Sequence, residues 1–346
     1  MGYVSDFVAK YPGVASTATD LVVYHRTDMD GRLGAAIAYQ ALDGKGAPAP
    51  GNTYYLGLNR EDVTVDDLLA AFPRLQQVYL IDYSFSPDMV FTLASREEIG
   101  VCLLDHHETA LKAIGSAIRD WHCAAKKRLC GVLPVEVSDD ALCCKYLDVL
   151  PGGQSGVSLA WRFFFPNEAV PRAVDLIRIY DTWSQDDPDW EDALHLNTAL
   201  WSTLDSFPNF DSDVLEKLLA DDTYCNDLIK QGVLAERINN IRNTRDSESY
   251  GGTLEWEGIT FLALNASGNS LAAEPATVDG VHEAVLLYRW APRAGHWKVS
   301  LYNCTTLTAK PRLCDIATKY GGGGHPGACG FQVKKLPFNL EDIKPL

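Results

Sequence analysis

The chain has 346 residues, enough for two domains that each bury a core and too many for a small disulfide-stapled module. Hydrophobic residues make up 47% and charged residues 22%, and no run reaches the roughly 20 apolar residues of a membrane helix, so no membrane partner is expected. Thirty Lys and Arg against 46 Asp and Glu give a net charge of -16, which disfavours a grip on a long duplex but not on a small phosphorylated substrate drawn in by bound cations.

The stretch from Met1 to Gly13 lacks the basic start and apolar centre of a signal peptide. The nine cysteines are an odd number in a large chain, which reads as reduced, buried thiols. Together these predict a cytoplasmic protein.

From residue 21 short apolar runs alternate with amphipathic stretches, the pattern of an α/β fold with a parallel sheet flanked by helices. The runs are Leu21 to His25, Tyr54 to Leu58, Val78 to Tyr83 and Val101 to Leu104, with helices predicted over 31–42, 61–72 and 86–96. Val132 to Val137 is a candidate fifth strand. Ser155 to Phe165 and Arg172 to Trp183 read as helices, the second opened by Pro171. Residues 211–243 favour helix, with apolar positions at Leu215, Leu218, Leu219, Leu234, Ile238 and Ile241. After Thr253 the texture turns to strands at Ile259 to Leu264, Ala284 to Trp290 and Trp297 to Tyr302, followed by a glycine run. The expected organisation is an α/β domain over 1–205, a helical linker over 206–250 and a smaller α+β domain over 251–346, facing the first across a cleft. There is no internal repeat.

Four places in the first domain put Asp or His where an apolar element stops, the position at which open parallel sheets bind ligands. They are Tyr24-His25-Arg26-Thr27-Asp28-Met29-Asp30-Gly31, then Ile81-Asp82-Tyr83-Ser84, then Leu104-Asp105-His106-His107-Glu108-Thr109, and Asp181 within Ile179-Tyr180-Asp181-Thr182-Trp183. Any one alone has a plainer explanation: a lone Asp after a strand is usually a helix cap, and a lone His is usually packed. Their recurrence at successive element ends is what points to metal. Mixed carboxylate and imidazole donors suit Mn²⁺, with Mg²⁺ or Co²⁺ as alternatives, and the four segments contain no cysteine for a thiolate zinc site. Two cations sharing a carboxylate would sit about 3.5 to 4 Å apart.

The segment Asp105-His106-His107 resembles the signature of the DHH phosphoesterases, and the segments at 25–30, 82 and 181 match that family's other metal motifs in the same order. Ser155-Gly156-Val157 through Ala160-Trp161 resembles a further family segment. Tyr320-Gly321-Gly322-Gly323-Gly324-His325-Pro326-Gly327 resembles the glycine-histidine motif of the DHH-associated C-terminal domain. The resemblance spans most of residues 20–335 and includes nano-RNase and RecJ-type enzymes.

Carried over residue by residue, it implies one metal on His25, Asp28 and Asp82 and a second on Asp30, Asp82, His106 and Asp181, with Asp82 bridging. Asp105 would orient a neighbouring ligand. His107 would face the substrate phosphate, and Gly321, Gly322, Gly323, Gly324 and His325 would bind substrate through closely approaching backbone N–H groups. Two departures stand out. The His25 to Asp28 spacing is one residue shorter than in some relatives, and Ser300-Leu301-Tyr302-Asn303 lacks the arginine of the family's Ser-Leu-Arg segment, which moves a phosphate-clamping role to Asn303 or Arg312.

The function implied is hydrolysis of phosphodiester bonds in short single-stranded oligonucleotides or dinucleotides, releasing mononucleotides. Rival readings are an inorganic pyrophosphate or polyphosphate hydrolase, a 3'-phosphoadenosine 5'-phosphate phosphatase, and a metal-dependent nucleotide sensor without turnover. A homodimer is compatible with the sequence. Residues 116–150 carry His122, Cys123, Cys130, Cys143, Cys144 and the basic run Lys126-Lys127-Arg128; their spacing fits no zinc pattern and reads as packing and surface charge.

Overall fold

The computed structural model describes residue 9 and residues 16–44, 51–59, 63–107, 110–111, 113–114, 129–131, 153–266, 280–304 and 311–346. By internal contacts the chain forms two units, Met1–His106 with Ala110–Ala235, and His107–Thr109 with Glu236–Leu346.

The first unit is built on a parallel sheet of β1 (Asp20–His25), β2 (Thr53–Leu58), β3 (Gln77–Ile81), β4 (Gly100–Leu104) and β5 (Leu129–Gly131), in the order β2-β1-β3-β4-β5. The apolar runs are continuous because both sheet faces are covered. Leu21, Val23, Leu80 and Leu103 pack beneath α2 (Val65–Ala71) and α3 (Pro87–Ala94). Val22, Tyr24, Ile81 and Leu104 face the opposite layer, α1 (Met29–Leu42), α4 (Gly156–Phe164), α5 (Arg172–Asp181), α6 (Trp190–Ser202) and α7 (Asp213–Ala220). Leu215 and Leu218 of α7 are fully buried in this core.

The strand predicted over 78–83 stops at Ile81, because Asp82 adopts a φ of 51° that breaks the extended run. The described fifth strand is Leu129–Gly131, whereas the predicted run Val132 to Val137 lies outside the described residues. So do Glu108, Thr109, His122, Cys123, Cys143, Cys144 and the Lys126-Lys127-Arg128 run.

Helix α8 (Asp222–Tyr250) contains the point at which the two units divide. Leu234, Ile238 and Ile241 on it are exposed, a helical apolar spacing with no burial. No helix among the described residues is long and apolar enough to cross a membrane.

The second unit carries a mixed sheet in the order β10-β11-β9-β8-β7-β6-β12, comprising β6 (Gly252–Trp256), β7 (Ile259–Leu264), β8 (Ala284–Ala291), β9 (His296–Asn303), β10 (Gly323–His325), β11 (Ala328–Val333) and β12 (Lys344–Pro345). All its described pairings are antiparallel except β7 with β8. Helix α9 (Leu313–Lys319) covers one face, where Leu313, Ile316 and Ala317 join Leu286, Leu301 and Phe331 in the core.

Candidate metal centre

In the first sheet β1 lies between β2 and β3, so the winding direction reverses there and leaves a crevice at the carboxyl ends of β1 and β3. The register aligns these ends, with Tyr24 opposite Ile81 and Ile81 opposite Leu104. His25, Asp82 and the Asp105-His106 pair therefore leave the sheet along one edge.

Helix α1 starts directly at this edge. Asp28 is its N-cap, and one carboxylate oxygen accepts from the Gly31 N–H at 3.0 Å. The other oxygen contacts the His25 imidazole, so the cap and the candidate ligand are the same side chain. Asp30, in the first turn of α1, is 1% exposed. Its burial is offset by the start of α4, where the N–H groups of Gly156 and Val157 donate to its two oxygens at 2.6 and 3.0 Å. A Cβ on Gly156 would overlap the Asp82 side chain and come within 2.8 Å of an Asp30 oxygen, so only glycine allows this approach.

Asp82 ties the cluster together. One of its oxygens lies 3.4 Å from His25 Nδ1 and the other 3.4 Å from His106 Nε2. His106 Nε2 is also 3.0 Å from Asp181 and 3.7 Å from Asp30. The structure thus gathers His25, Asp28 and Asp82 into one group and Asp30, His106 and Asp181 into another, each with donor atoms within 4.8 Å of one another, and Asp82 touches both. The shorter His25 to Asp28 spacing does not keep Asp28 away.

The electrostatics are those of crowded acids. Burial raises Asp28 to about 6, aided by Asp82 and opposed by His25. Burial also lifts Asp30 well above the usual carboxylate range, and Asp181 and Asp82 add to this. Burial alone would push the His25 imidazole down, but Asp28 and Asp82 reverse that and raise it to about 11. His106 is likewise raised, as Asp181, Asp82 and Asp30 outweigh its desolvation. Four carboxylates around two imidazoles hold more negative charge than two imidazole protons can neutralise. Such an oxygen-rich, thiolate-free donor set fits a pair of divalent cations.

No family model matches the chain. It is similar to oligoribonuclease NrnB of Bacillus subtilis, 24% identical over 329 residues, covering 92% of this chain and 74% of that protein. Among solved structures it resembles the DHH domain of a member of a family of ribosomal proteins, with a TM-score of 0.50 and 12% identity over 96% of this chain and 88% of that one. The exonuclease RecJ bound to manganese aligns with a TM-score of 0.43 and 12% identity over 95% of this chain and 90% of that one. The chain shares the fold of a DHH domain.

The DHH segment itself divides its labour. Asp105, 1% exposed, accepts from the His106 N–H at 2.7 Å and from the Ser84 hydroxyl. It is a strut between the loops that follow β3 and β4, holding the backbone of His106 rather than reaching into either donor group. Ser84 carries no sequence signal beyond its place two residues after Asp82, and sequence reasoning misses it. His107 is half-buried and groups with the second unit.

In the second unit, the candidates converge on one end of the sheet. The Asn303 N–H donates to Gly327 O at 2.9 Å and the Leu313 N–H to Pro326 O at 2.8 Å, tying the Pro326-Gly327 turn to β9 and to the start of α9, whose N-cap is Arg312. The glycine run corrects the sequence expectation. The N–H groups of Gly321 and Gly322 donate to Thr318 O at 3.1 Å and Ala317 O at 2.9 Å, closing α9, so they are not free donors for substrate. Gly323 and Gly324 pair with Gly330 and Cys329 as strand β10.

Proposed function

We propose that the protein is a Mn²⁺-dependent two-metal phosphodiesterase that hydrolyses dinucleotides or very short single-stranded oligonucleotides to mononucleotides. The observation that carries this reading is the division of the Asp82 carboxylate, one oxygen toward His25 and the other toward His106. In that role His25, Asp28 and Asp82 hold one cation, and Asp30, Asp82, His106 and Asp181 hold the other. When bound, the two cations supply Lewis acidity, drawing charge from the scissile phosphate and acidifying water. Asp105 and Ser84 fix the His106 backbone, while the α4 amides keep Asp30 aimed. His107 is assigned to hydrogen-bonding the phosphate as charge develops on its oxygens. Gly323, Gly324, His325, Asn303 and Arg312 are assigned to substrate, as residues gathered at one end of the second sheet.

Likeness to an oligoribonuclease across 92% of the chain supports a short-oligonucleotide substrate over pyrophosphate. The test is product analysis with Mn²⁺ on a dinucleotide, pyrophosphate and 3'-phosphoadenosine 5'-phosphate. Mononucleotides released from the dinucleotide are expected. Turnover of either other substrate alone would overturn the substrate class, and dinucleotide binding without product would establish the sensor reading instead.

A further inference from the structure

One residue beside the metal centre holds a conformation that its type disfavours, and the proposed reaction gives it no role. Helix α5 ends at Asp181, with Thr182 as its C-cap. The Trp183 N–H donates to Tyr180 O at 3.1 Å and the Ser184 N–H to Ile179 O at 3.0 Å. This pair of bonds closes a helix when the residue after the cap is left-handed, a place ordinarily taken by glycine. Here it is Trp183, with a φ of 53°. Glycine would make the same backbone bonds without crowding a Cβ against a carbonyl, so the indole is carried at a cost.

The closure also fixes where the indole stands. Asp181 reaches His106 Nε2 at 3.0 Å, and two residues of chain span at most about 7 Å, so the backbone of Trp183 borders the donor cluster. The cluster opens on this side: the side chains of Asp30 and Asp82 are each 1% exposed, whereas those of His25, Asp28 and Asp181 are 23%, 35% and 24% exposed. Trp183, itself partly exposed, stands next to that open rim. Its ring meets Tyr180 at 5.6 Å and Trp190 at 5.1 Å, with interplanar angles of 68° and 74°. Such edge-to-face contacts offset some of the cost and hold the indole at a set angle. Among the described residues no ring lies flat on it, in contrast to Trp201, which is stacked on Phe207 at 3.7 Å. A flat aromatic surface beside a phosphate site suits a nucleobase, because every base presents a π-face whatever its hydrogen-bonding edge.

We infer that Trp183 is a specificity-determining residue that stacks on the nucleobase adjoining the phosphate at the metal centre. The choice of a nucleotide as ligand rests on the function proposed above. Stacking reads the presence of a base more than its identity, so the residue selects nucleotides over bare sugar phosphates with little preference among the bases.

The test is calorimetric titration of Mn²⁺-loaded wild type, W183F and W183L with 5'-AMP and ribose 5-phosphate, which share a phosphate and differ in the base. Wild type is expected to bind AMP about tenfold tighter than ribose 5-phosphate. W183F should keep most of that margin, and W183L, which retains bulk and the same backbone cost but has no π-face, should lose it. W183G removes the ring while relieving the backbone, and should lose the margin too if the leucine chain proves too unstable to titrate. Equal binding of the two ligands by wild type overturns the inference. So does an equal weakening of both in W183L or W183G with the margin intact, the result expected if the indole only supports Asp181. Absence of dinucleotide hydrolysis would sink the proposed function, whereas the AMP margin is read without turnover and stands or falls by itself.

Discussion

The two sheets gather opposite charges by different means. In the first unit the strands run parallel, so their carboxyl ends share one edge, and short loops there deliver Asp and His from distant segments into a buried cluster. In the second unit the chain runs back and forth, and the cationic residues come from side chains opposed across adjacent strands, Arg289 and Lys298, which remain exposed. A buried acidic group of donors needs a cation to be tolerable, whereas exposed basic side chains keep their water and need none. Changes in the first region should therefore abolish turnover, and changes in the second should alter affinity.

The largest effect is expected from Asp82→Asn, which keeps the side-chain shape and removes the charge facing both imidazoles. Dinucleotide hydrolysis with Mn²⁺ should fall by about 10³-fold or more, with kcat carrying the loss; unchanged kcat would dissolve the distinction between the regions. Gly156→Ala comes next. Its methyl would push into Asp82 and Asp30, and misplacement on this scale should cost on the order of 10²-fold in kcat, with weakened Mn²⁺ binding measured in parallel. Ser84→Ala removes one hydrogen bond to Asp105 and should lower metal affinity or activity by about tenfold. Arg312→Gln, in the second unit, should raise KM several-fold at constant kcat, and a fall in kcat alone would show that the assignment to substrate binding is wrong.

A pH series on chelator-treated protein sharpens the contrast further. Asp28 is raised from 3.8 to about 6, so its contribution to stability is fully present below 3.8 and lost as pH rises through 6. His25 is raised from 6.5 to about 11, so its contribution is fully present below 6.5 and lost as pH climbs toward 11. Both move the same way: the melting midpoint should fall as pH rises from 4 to 7, through Asp28, and go on falling from 7 toward 11, through His25. Added Mn²⁺ should restore more stability at pH 8 than at pH 5, because the cation displaces these protons. A midpoint independent of pH would show that the cluster does not carry the charge assigned to it.

Much of this was readable in the residues because parallel strands buried on both faces show as uninterrupted apolar runs, and candidate ligands fall where those runs stop. Leu21 to His25 and Val101 to Leu104 place His25 and Asp105 at strand ends without any tertiary information. What stayed hidden depends on contacts between remote segments. The Asp30 carboxylate meets the first amides of α4, 126 residues further on, and no local pattern announces it. The Ser84 to Asp105 link is of the same kind. The glycine run shows the opposite failing: missing side chains reveal that something comes close, but not that the amides of Gly321 and Gly322 point back into their own helix. The exposed Leu234, Ile238 and Ile241 warn that helical spacing alone does not establish a buried stripe.

The left-handed backbone at Asp82, with φ of 51°, narrows what evolution or an engineer can install there. Side chains larger than Asp or Asn are disfavoured by roughly 1 to 3 kcal/mol in that conformation, so Glu cannot simply extend its reach to keep both partners. Asparagine fits the backbone but gives up the charge. The position therefore has one easy exit, toward a chain that still folds yet no longer cuts, and a catalyst could become a receptor through a single replacement.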